Sequence, residues 1–445
     1  MNPIQKLKNQ QSPYPSRLFS QGESPEKLLN DQELELEKLE ELTENNKSSL
    51  SESFGIKLDG KFDGKFAFLE VEYHTNNNII IRCRHGSLKI GEQLDTDPIP
   101  APDISFDKIM SRDPNKKRSL NLEETPGIMR MFSQKNSQAK KIRGWLLKLQ
   151  ERQHNFSYLI INDRTTFEIP WEMLELKNND YLGASLVTVR WQDITNPEDL
   201  DNVNDLIKLE VTEKKCCGKI VAYINTEGLS KAKEEKEIIE VFHSTIYDDV
   251  RNFFDYLDKV NLDQVNSEVS LVFIASHGFF DKDLSQSKLG EEDETQQISV
   301  YDLYEYDFNF FKKGSIVFMN ACNSGRLQQN DTLKIIDTNP TIGQEYPIGF
   351  STFFLEKGAE GVIGTLCEVH DEYAAKISRN FFQEYQKYPH LSVATILKNL
   401  RQKAAHEYQR QKGNDENKSL FIYTFMYIYY GNPMAKLELL KKEGI

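Results

Sequence analysis

Two short apolar runs, each ending on a reactive side chain, constrain the fold of this chain more than any other feature. The first run is SLVFIASHG, which ends on His277 and Gly278, and the second is SIVFMNACNSG, which contains Cys322. Apolar, β-branched runs bounded by turn residues are typical of buried strands in a parallel sheet. Because the carboxyl ends of parallel strands lead into loops at the same edge of the sheet, we expect His277 and Cys322 to lie close together there.

From about residue 140 onward, predicted strands alternate with predicted helices. KIVAYIN and GVIGTL are further strands, and GFSTFFLEKG is a helix whose end is expected just before Gly358. The Tyr-rich stretch LFIYTFMYIYY (residues 420–430) is predicted to be a final buried strand. This alternation predicts an α/β protein of three layers, in which helices cover both faces of a mostly parallel sheet.

The chain is expected to divide into four parts. Residues 1–55 are polar and include the Glu-rich LLNDQELELEKLEEL, which predicts a partly disordered, partly helical segment. Residues 56–95 predict a small β unit or an accessory sheet edge. Residues 96–138 are rich in Asp, Pro, Ser and Lys and predict an exposed linker. Residues 139–435 form the main domain.

Composition excludes several classes of function. The net charge is −14, which argues against nucleic acid as the main partner, since phosphate binding needs concentrated positive charge. None of the five cysteines forms a CxxC pair, so neither a zinc ribbon nor a thioredoxin site is suggested. We expect no metal and no other cofactor. The N-terminus has no secretory signal, and the longest apolar stretch is too short to cross a bilayer. We therefore expect a cytoplasmic protein with free thiols and no membrane partner.

Cys322 and His277 carry the chemistry that the two runs predict. Small and polar residues follow Cys322, so its thiol is expected to be at least partly exposed, as a nucleophile must be. His277 could accept the thiol proton and later protonate a leaving amine. The backbone N–H groups of Gly278 and Cys322 could form an oxyanion hole. The alternative is that both side chains are structural residues at strand ends.

Other cysteines and histidines are weaker candidates. Cys83 and His85 follow an accessory strand, and the adjacent Cys216 and Cys217 are predicted to lie in a turn. Cys367 and His370 follow the strand GVIGTL, where they could line the pocket or form a second pair.

Together these residues resemble the CHAT domain, a family of caspase- and separase-like cysteine peptidases of clan CD with the caspase-haemoglobinase fold. The resemblance covers about residues 140–435. The similar features, in chain order, are a strand leading to a Pro-aromatic-Glu turn at residues 158–174, Ser276-His277-Gly278, Ala321 to Gly325, Gly349-Phe350, Gly361 to Leu366, Asp371, and Tyr430-Gly431-Asn432-Pro433. Two departures are Cys367, where the family commonly has Trp, and Asn432, where it has Asp.

The resemblance implies a cysteine endopeptidase with His277 and Cys322 as its catalytic pair. It also implies that Glu368 and Asp371 contact a basic P1 side chain of a protein substrate, the residue on the amino side of the scissile bond. Asp371 fits equally well as the cap of the following helix. The alternatives from other classes are a catalytically silent, protein-binding CHAT-like scaffold and a non-peptidase thiol enzyme such as an acyltransferase.

Regulation by a protein partner is a further implication, because caspase-like relatives frequently carry fused sensor domains. Residues 1–130 are therefore a candidate adaptor region. The long acidic segment Asp281 to Gln297 lacks apolar periodicity, and we expect it to shield the cleft.

Overall fold

One large, mostly parallel β-sheet organises the protein in a computed structural model. The structure describes residues 56–442, with gaps at 63, 75–77, 101–120, 166–168, 193, 195–206, 262–267, 282–283, 292, 309, 311–313, 330–346 and 412. The Glu-rich segment in residues 1–55 lies outside the described residues.

The strands follow in chain order: β1 (Ile56–Leu58), β2 (Phe66–His74), β3 (Asn78–His85), β4 (Leu94–Asp95), β5 (Ile99–Pro100), β6 (Tyr158–Asp163), β7 (Glu175–Lys177), β8 (Asp180–Tyr181), β9 (Val187–Arg190), β10 (Leu209–Val211), β11 (Lys214–Ile224), β12 (Ser244–Tyr247), β13 (Val269–Phe279), β14 (Lys288–Gly290), β15 (Gln297–Ser299), β16 (Ile316–Ala321), β17 (Gln328–Gln329), β18 (Pro347–Ile348), β19 (Gly361–Thr365), β20 (Tyr427–Gly431) and β21 (Ala435–Leu439). The α-helices are α1 (Thr125–Lys135), α2 (Ser137–Arg152), α3 (Leu182–Ser185), α4 (Ala232–Ile239), α5 (Val250–Asn261), α6 (Val300–Leu303), α7 (Phe350–Glu356), α8 (Asp371–Lys387), α9 (Val393–Arg410) and α10 (Asp415–Met426).

The main sheet runs in the order β12-β11-β13-β16-β19-β20-β9-β6-β2-β3-β4 through the described residues. Neighbours are parallel from β12 to β19 and from β20 to β2, and β20 is antiparallel to β19. Helices lie on both sides. The α/β fold with a mostly parallel sheet is confirmed.

The connections around β11 and β13 create a crevice at one edge of the sheet. After β11 the chain crosses to β12 on one side, whereas after β13 it crosses to β16 on the other side. Loops that leave adjacent parallel strands in opposite directions open a gap beyond the carboxyl ends of those strands. The ends of β11, β13, β16 and β19 therefore surround the natural place for a site.

The predicted β unit forms part of this same sheet. Strand β2 pairs in parallel with β6 over residues 66–71, and β3 pairs with β2 as an antiparallel hairpin. The segment predicted as an exposed linker differs from that expectation, because helix α1 lies within it. This helix has Pro126 in its first turn and buries Met129 and Phe132 against the core.

The prediction of one strand over residues 420–430 is wrong in its first half. Helix α10 extends to Met426, and only Tyr427–Gly431 is strand. The helix begins where the Asn414 side chain accepts a hydrogen bond from the N–H of Asn417. All six residues from Phe421 to Met426 are buried, so this last part of the helix is enclosed on every face. Phe421 and Phe425, one turn apart, both pack against Tyr181. An apolar run without periodicity cannot distinguish such a helix from a buried strand.

The turn after β20 explains the departure at Asn432. Gly431 has a positive φ of 107°, which favours glycine. The side chain of Asn432 donates to Thr212 O at 2.9 Å and to Glu360 Oε2 at 3.2 Å. An ionised Asp could not donate to Glu360, so Asn suits this carboxylate neighbour.

The Pro-aromatic-Glu turn near residue 171 is fixed by a buried ion pair. Glu172 accepts two hydrogen bonds from the guanidinium of Arg190 on β9, at 3.1 and 2.7 Å. Burial alone would raise the pKa of Glu172, but the charge and hydrogen bonds of Arg190 lower it overall. Both side chains are almost fully buried, so removal of either one would leave an unpaired charge in the protein interior.

Removal of Glu172 is therefore expected to destabilise the fold strongly. Glu172→Ala leaves the Arg190 charge buried without its partner, and we expect a loss of about 3–5 kcal/mol in the free energy of unfolding. Urea denaturation followed by circular dichroism measures this loss. Glu210→Ala, which breaks the exposed pair with Lys57, is the control and should cost less than about 1 kcal/mol. Equal losses for the two variants would contradict this account.

Candidate active site

The carboxyl ends of β13 and β16 bring His277 and Cys322 to one cleft. The two strands pair in parallel up to Ser276 opposite Ala321, so His277 and Cys322 are the next residues in register. Both side chains are partly exposed, and both line the same narrow cleft. Its lining residues are Leu229, Lys231, Ala232, Glu235, Ser276, His277, Asn320, Ala321, Cys322, Val369, Asp371 and Ala374.

Gly278 allows the two strand ends to approach each other this closely. A Cβ atom at position 278 would lie 1.9 Å from the carbonyl oxygen of Cys322 and 3.0 Å from its nitrogen. No side chain fits at that distance. The glycine after the histidine is therefore required by the backbone contact with Cys322 itself.

The turn after Cys322 is fastened to the neighbouring strand β19. Asn323 has a left-handed φ of 58°, which asparagine tolerates better than most residues. Its N–H donates to Cys367 O at 3.0 Å, and the N–H of Gly325 donates to Thr365 O at 2.8 Å. These bonds reverse the chain sharply, so Cys322 lies at the tip of the turn rather than inside the sheet.

The backbone of Val369 holds the thiol of Cys322. The Val369 N–H donates to Sγ at 3.3 Å, and the thiol lies 3.7 Å from Val369 O as a donor. Burial raises the pKa of the Cys322 thiol to about 11, and the negative charges of Glu368 and Asp371 act in the same direction. The thiol is therefore protonated near neutral pH in this conformation.

The imidazole of His277 is engaged with a different group. Its Nε2 lies 3.2 Å from the carbonyl oxygen of Gly228, in the loop between β11 and α4. We call residues 228–231 of this loop the strap. Asn225 supports it, because its Oδ1 accepts a hydrogen bond from the Gly228 N–H at 2.7 Å.

The strap is also tied to the opposite wall of the cleft. Both the N–H and the hydroxyl of Ser230 donate to Oδ2 of Asp371, at 3.0 and 3.2 Å. The cleft that remains has an interior volume of about 20 Å³, which is enough for about one water molecule. Leu229 and Lys231 of the strap form part of the wall of this small cleft.

Of the two acidic residues expected at a P1 pocket, Asp371 lies in the cleft wall. It is the first residue of α8, and His370 is the N-cap position without a side-chain cap bond. The expected capping role of Asp371 is therefore wrong, since its carboxylate binds Ser230 instead. Glu368 is half-buried on the same loop but is not one of the lining residues of the cleft.

A buried polar network beneath the cleft is a feature that the sequence did not indicate. Glu235 on α4 accepts hydrogen bonds from Asn320 Nδ2 and, at 3.0 Å, from the Ser378 hydroxyl. Tyr427 donates to Oδ1 of Asn320. The EEKEIIE pattern places Glu235 on an amphipathic helix, and only the tertiary packing shows that it faces inward.

Among the residues that the structure describes, no other cysteine is hydrogen-bonded to a histidine in a second pair. The turn predicted at Cys216 and Cys217 is wrong, because both lie in strand β11. Cys83, Cys216 and Cys367 are buried, and His370 is exposed. His85 is buried and its Nε2 contacts Gly64 O at 3.1 Å, as expected for a structural histidine. A catalytic pair of Cys367 and His370 would need the thiol and the imidazole in one accessible space. The buried Cys367 and the exposed His370 do not meet that requirement.

The acidic segment Asp281 to Gln297 supports the histidine strand. Strand β14 within it pairs antiparallel with β13 and places Gly290 opposite His277. Strand β15 pairs with β14 in turn. Within the described residues, the lining of the cleft includes none from this segment, so its visible contact is with the strand rather than with the cleft.

In the described part of the chain, no group of three or more His, Cys, Asp and Glu side chains is arranged to hold a metal ion. None of the helices described is both long enough and apolar enough to cross a bilayer.

The described sheet is mostly parallel, and its strand ending in His277-Gly278 lies beside the turn that carries Cys322. The CHAT domain family model matches residues 138–430, which is more than half of the chain. The chain therefore belongs to the CHAT domain family. A search of the curated proteins finds no match to this chain.

Solved structures give weaker likenesses. One Saccharomyces cerevisiae separase-securin complex is 16% identical, with 67% of this chain and 17% of that chain covered and a TM-score of 0.36. A second such complex is 12% identical, with 90% and 31% covered and a TM-score of 0.43. A complex of the pro- and mature domains of Porphyromonas gingivalis RgpB is 10% identical, with 70% and 76% covered and a TM-score of 0.39. This chain thus spans less than a third of the length of either separase.

Gly278→Ala is expected to disrupt the site because the added Cβ overlaps the Cys322 carbonyl. Overpacking of this kind typically costs about 1–3 kcal/mol in the free energy of unfolding. Urea denaturation and the rate of Cys322 alkylation, followed by mass spectrometry, measure the two consequences. Gly86→Ala is the matched control, because a Cβ at Gly86 has no neighbour within 4 Å. Identical behaviour of the two variants would show that the close approach is not real.

The raised pKa of Cys322 predicts a distinctive pH dependence of alkylation. With a thiol pKa of about 11, the iodoacetamide rate at Cys322 should increase about tenfold per pH unit up to about pH 10. Peptide mass spectrometry follows Cys322 alone, and circular dichroism at each pH checks that the fold persists. A rate that is already constant below pH 8 would indicate a preformed thiolate-imidazolium pair instead.

Proposed function

We propose that this protein is a cysteine endopeptidase that cleaves protein substrates through an acyl-enzyme. The Cys322 sulfur attacks the peptide carbonyl carbon, and its proton passes to the imidazole of His277. The imidazolium then protonates the departing amine, and water hydrolyses the thioester to release the acid and regenerate the thiol. The N–H groups of Gly278 and Cys322 would stabilise the oxyanion.

The position of His277 and Cys322 on one cleft is the observation that carries this proposal. Both side chains follow paired parallel strands, and the contact between Gly278 and Cys322 brings those strand ends together. A cysteine peptidase needs a base and a thiol that share a space accessible to a peptide. Membership of the CHAT family supports the same activity.

The protein would have to leave its present conformation before it could act. His277 has to exchange Gly228 for the thiol, and the strap has to move away from Asp371 to admit a peptide. Release of His277 would also lower the thiol pKa, because a nearby imidazolium favours the thiolate. This requirement supports control by a partner protein, for which residues 1–130 remain the candidate adaptor region. The separase neighbours are complexes with securin.

We propose that the substrate carries a basic P1 residue. Glu368 and Asp371 are close enough to the Cys322 thiol to raise its pKa, so they place negative charge beside the reacting carbonyl. A Lys or Arg side chain next to the scissile bond would be attracted to that charge.

A catalytically silent scaffold is the second candidate, and one observation favours it. The thiol is protonated and held by Val369, while His277 is held by Gly228, so no catalytic pair is assembled. A scaffold that binds proteins with the same sheet would need nothing more. It would not, however, need both His277 and Cys322.

Cleavage of a peptide library by three proteins distinguishes the two functions. Wild type should cleave, whereas Cys322→Ala and His277→Ala should each lose at least about 10³-fold in kcat/KM, because the nucleophile and its base act as a unit. Cys217→Ala, at a site remote from the cleft, is the control and should retain wild-type activity. Equal turnover by all of these proteins would eliminate the peptidase assignment.

A further inference from the structure

Glu235 lies at the floor of the cleft that His277 and Cys322 share. It is the fourth residue of α4, and only 3% of its surface is exposed. Its side chain is nevertheless one of the groups that line the cleft. Asn320, which donates to it, is the next-to-last residue of β16 and lies two residues before Cys322. Glu235, Asn320 and Cys322 thus line the same cleft.

The carboxyl group of Glu235 lacks a cationic partner among the described residues. Both of its hydrogen bonds are to Oε1, from Asn320 and Ser378. The neighbouring Glu234 differs, because it forms ion pairs with Lys231 and Arg379. A buried carboxylate is normally paired with a cation, since burial of an isolated charge is costly. Glu235 has the geometry of one half of such a pair.

We propose that Glu235 is a further specificity residue, which pairs with the cationic end of the Lys or Arg side chain at P1 in addition to the charge that Glu368 and Asp371 supply. This inference rests on the proposed peptidase function and deepens it. The P1 side chain branches from the atom next to the attacked carbonyl, so it enters the cleft beside the sulfur. A cation that reaches the floor there completes the ion pair that Glu235 lacks, with Asn320 and Ser378 fixing the orientation of the carboxylate.

Movement of the strap would open the route to Glu235. Lys231 and Ala232 line the cleft and lie three or four residues before Glu235, on the same side of the chain as it enters α4. The cleft, with its interior volume of about 20 Å³, has to widen before any substrate can bind. The displacement that frees His277 from Gly228 thus also uncovers Glu235.

Ionisation of Glu235 should make the binding of a basic P1 side chain depend on pH. Burial, with a smaller contribution from the charges of Asp371 and Glu234, raises the pKa of its carboxyl group to about 7, against the opposing hydrogen bonds from Ser378 and Asn320. The charged or titratable groups around it are Lys231 from the strap, Glu234 from α4, Asp371 and Arg379 from α8, Tyr427 from β20, and the His277–Cys322 pair. Below pH 7 Glu235 is neutral and binds a cation poorly, and above pH 7 it is ionised and binds it well.

The kinetic test compares matched peptides that differ only at P1, with Arg, Lys or the uncharged norleucine. Glu235→Gln preserves the acceptor atom but removes the charge, so kcat/KM for Arg and Lys should fall about 10–100-fold while norleucine is nearly unchanged. Glu237→Gln, an exposed position on the same helix, is the control. In wild type, the ratio of basic to norleucine kcat/KM should rise with pH through about 7, and in Glu235→Gln it should be flat. A ratio in Glu235→Gln equal to wild type, or a flat wild-type profile, overturns the proposal.

A binding test separates failure of this inference from failure of the peptidase function. In the Cys322→Ala protein, the arginine side-chain analogue agmatine should bind at pH 8, and Glu235→Gln should weaken that binding at least tenfold by calorimetry. If wild type cleaves no peptide but agmatine binding depends on Glu235, the peptidase assignment fails and the cation site stands. If agmatine does not bind, or binds equally without Glu235, the proposal for Glu235 is overturned even when peptides are cleaved. The wild-type pH profile decides the case if Glu235→Gln does not fold.

Discussion

The contact between the backbones of Gly278 and Cys322 is the constraint on which this site depends. Parallel pairing of β13 and β16 brings their ends to one edge, but a side chain at position 278 would keep the histidine strand away from the cysteine turn. Glycine removes that barrier, and the bonds from Asn323 and Gly325 to the end of β19 hold the turn in place. His277 and Cys322 therefore face one cleft as a consequence of backbone packing.

The same packing leaves the reactive groups in a resting arrangement. Val369 holds the thiol, Gly228 holds the imidazole, and Ser230 joins the strap to Asp371. Each contact is a single hydrogen bond or a pair of bonds, which contributes about 0.5–3 kcal/mol. A partner that binds the open form more tightly by a few kcal/mol would be enough to shift the population. On the proposed function, a few local bonds rather than a different fold would separate this resting form from an active one.

The sequence predicted the sheet and the meeting of His277 with Cys322 because both follow from strand pattern and parallel topology. It could not predict the structure of residues 420–426, since a helix that is buried on all sides has the same apolar composition as a strand. It also gave no signal for the strap, because the bond from His277 to Gly228 joins residues that are 49 positions apart.

The burial of Glu235 also could not be predicted from the sequence. A glutamate in a charged helix is ordinarily solvated, so the sequence gives no reason to single it out. Its burial results from the packing of α4 against β16 and α8, which brings it to Asn320 and Ser378. Side-chain roles that depend on three separate segments of the chain become visible only when the fold has placed those segments together.

Covalent capture of Cys322 by a peptidyl acyloxymethyl ketone with Lys at P1 tests the central claim most directly. Intact-mass and peptide mass spectrometry should show one adduct, located on Cys322, that forms much more slowly in His277→Ala because the base that activates the thiol is gone. Modification of another cysteine, or equal rates in wild type and His277→Ala, would contradict the claim that these two side chains form one catalytic site.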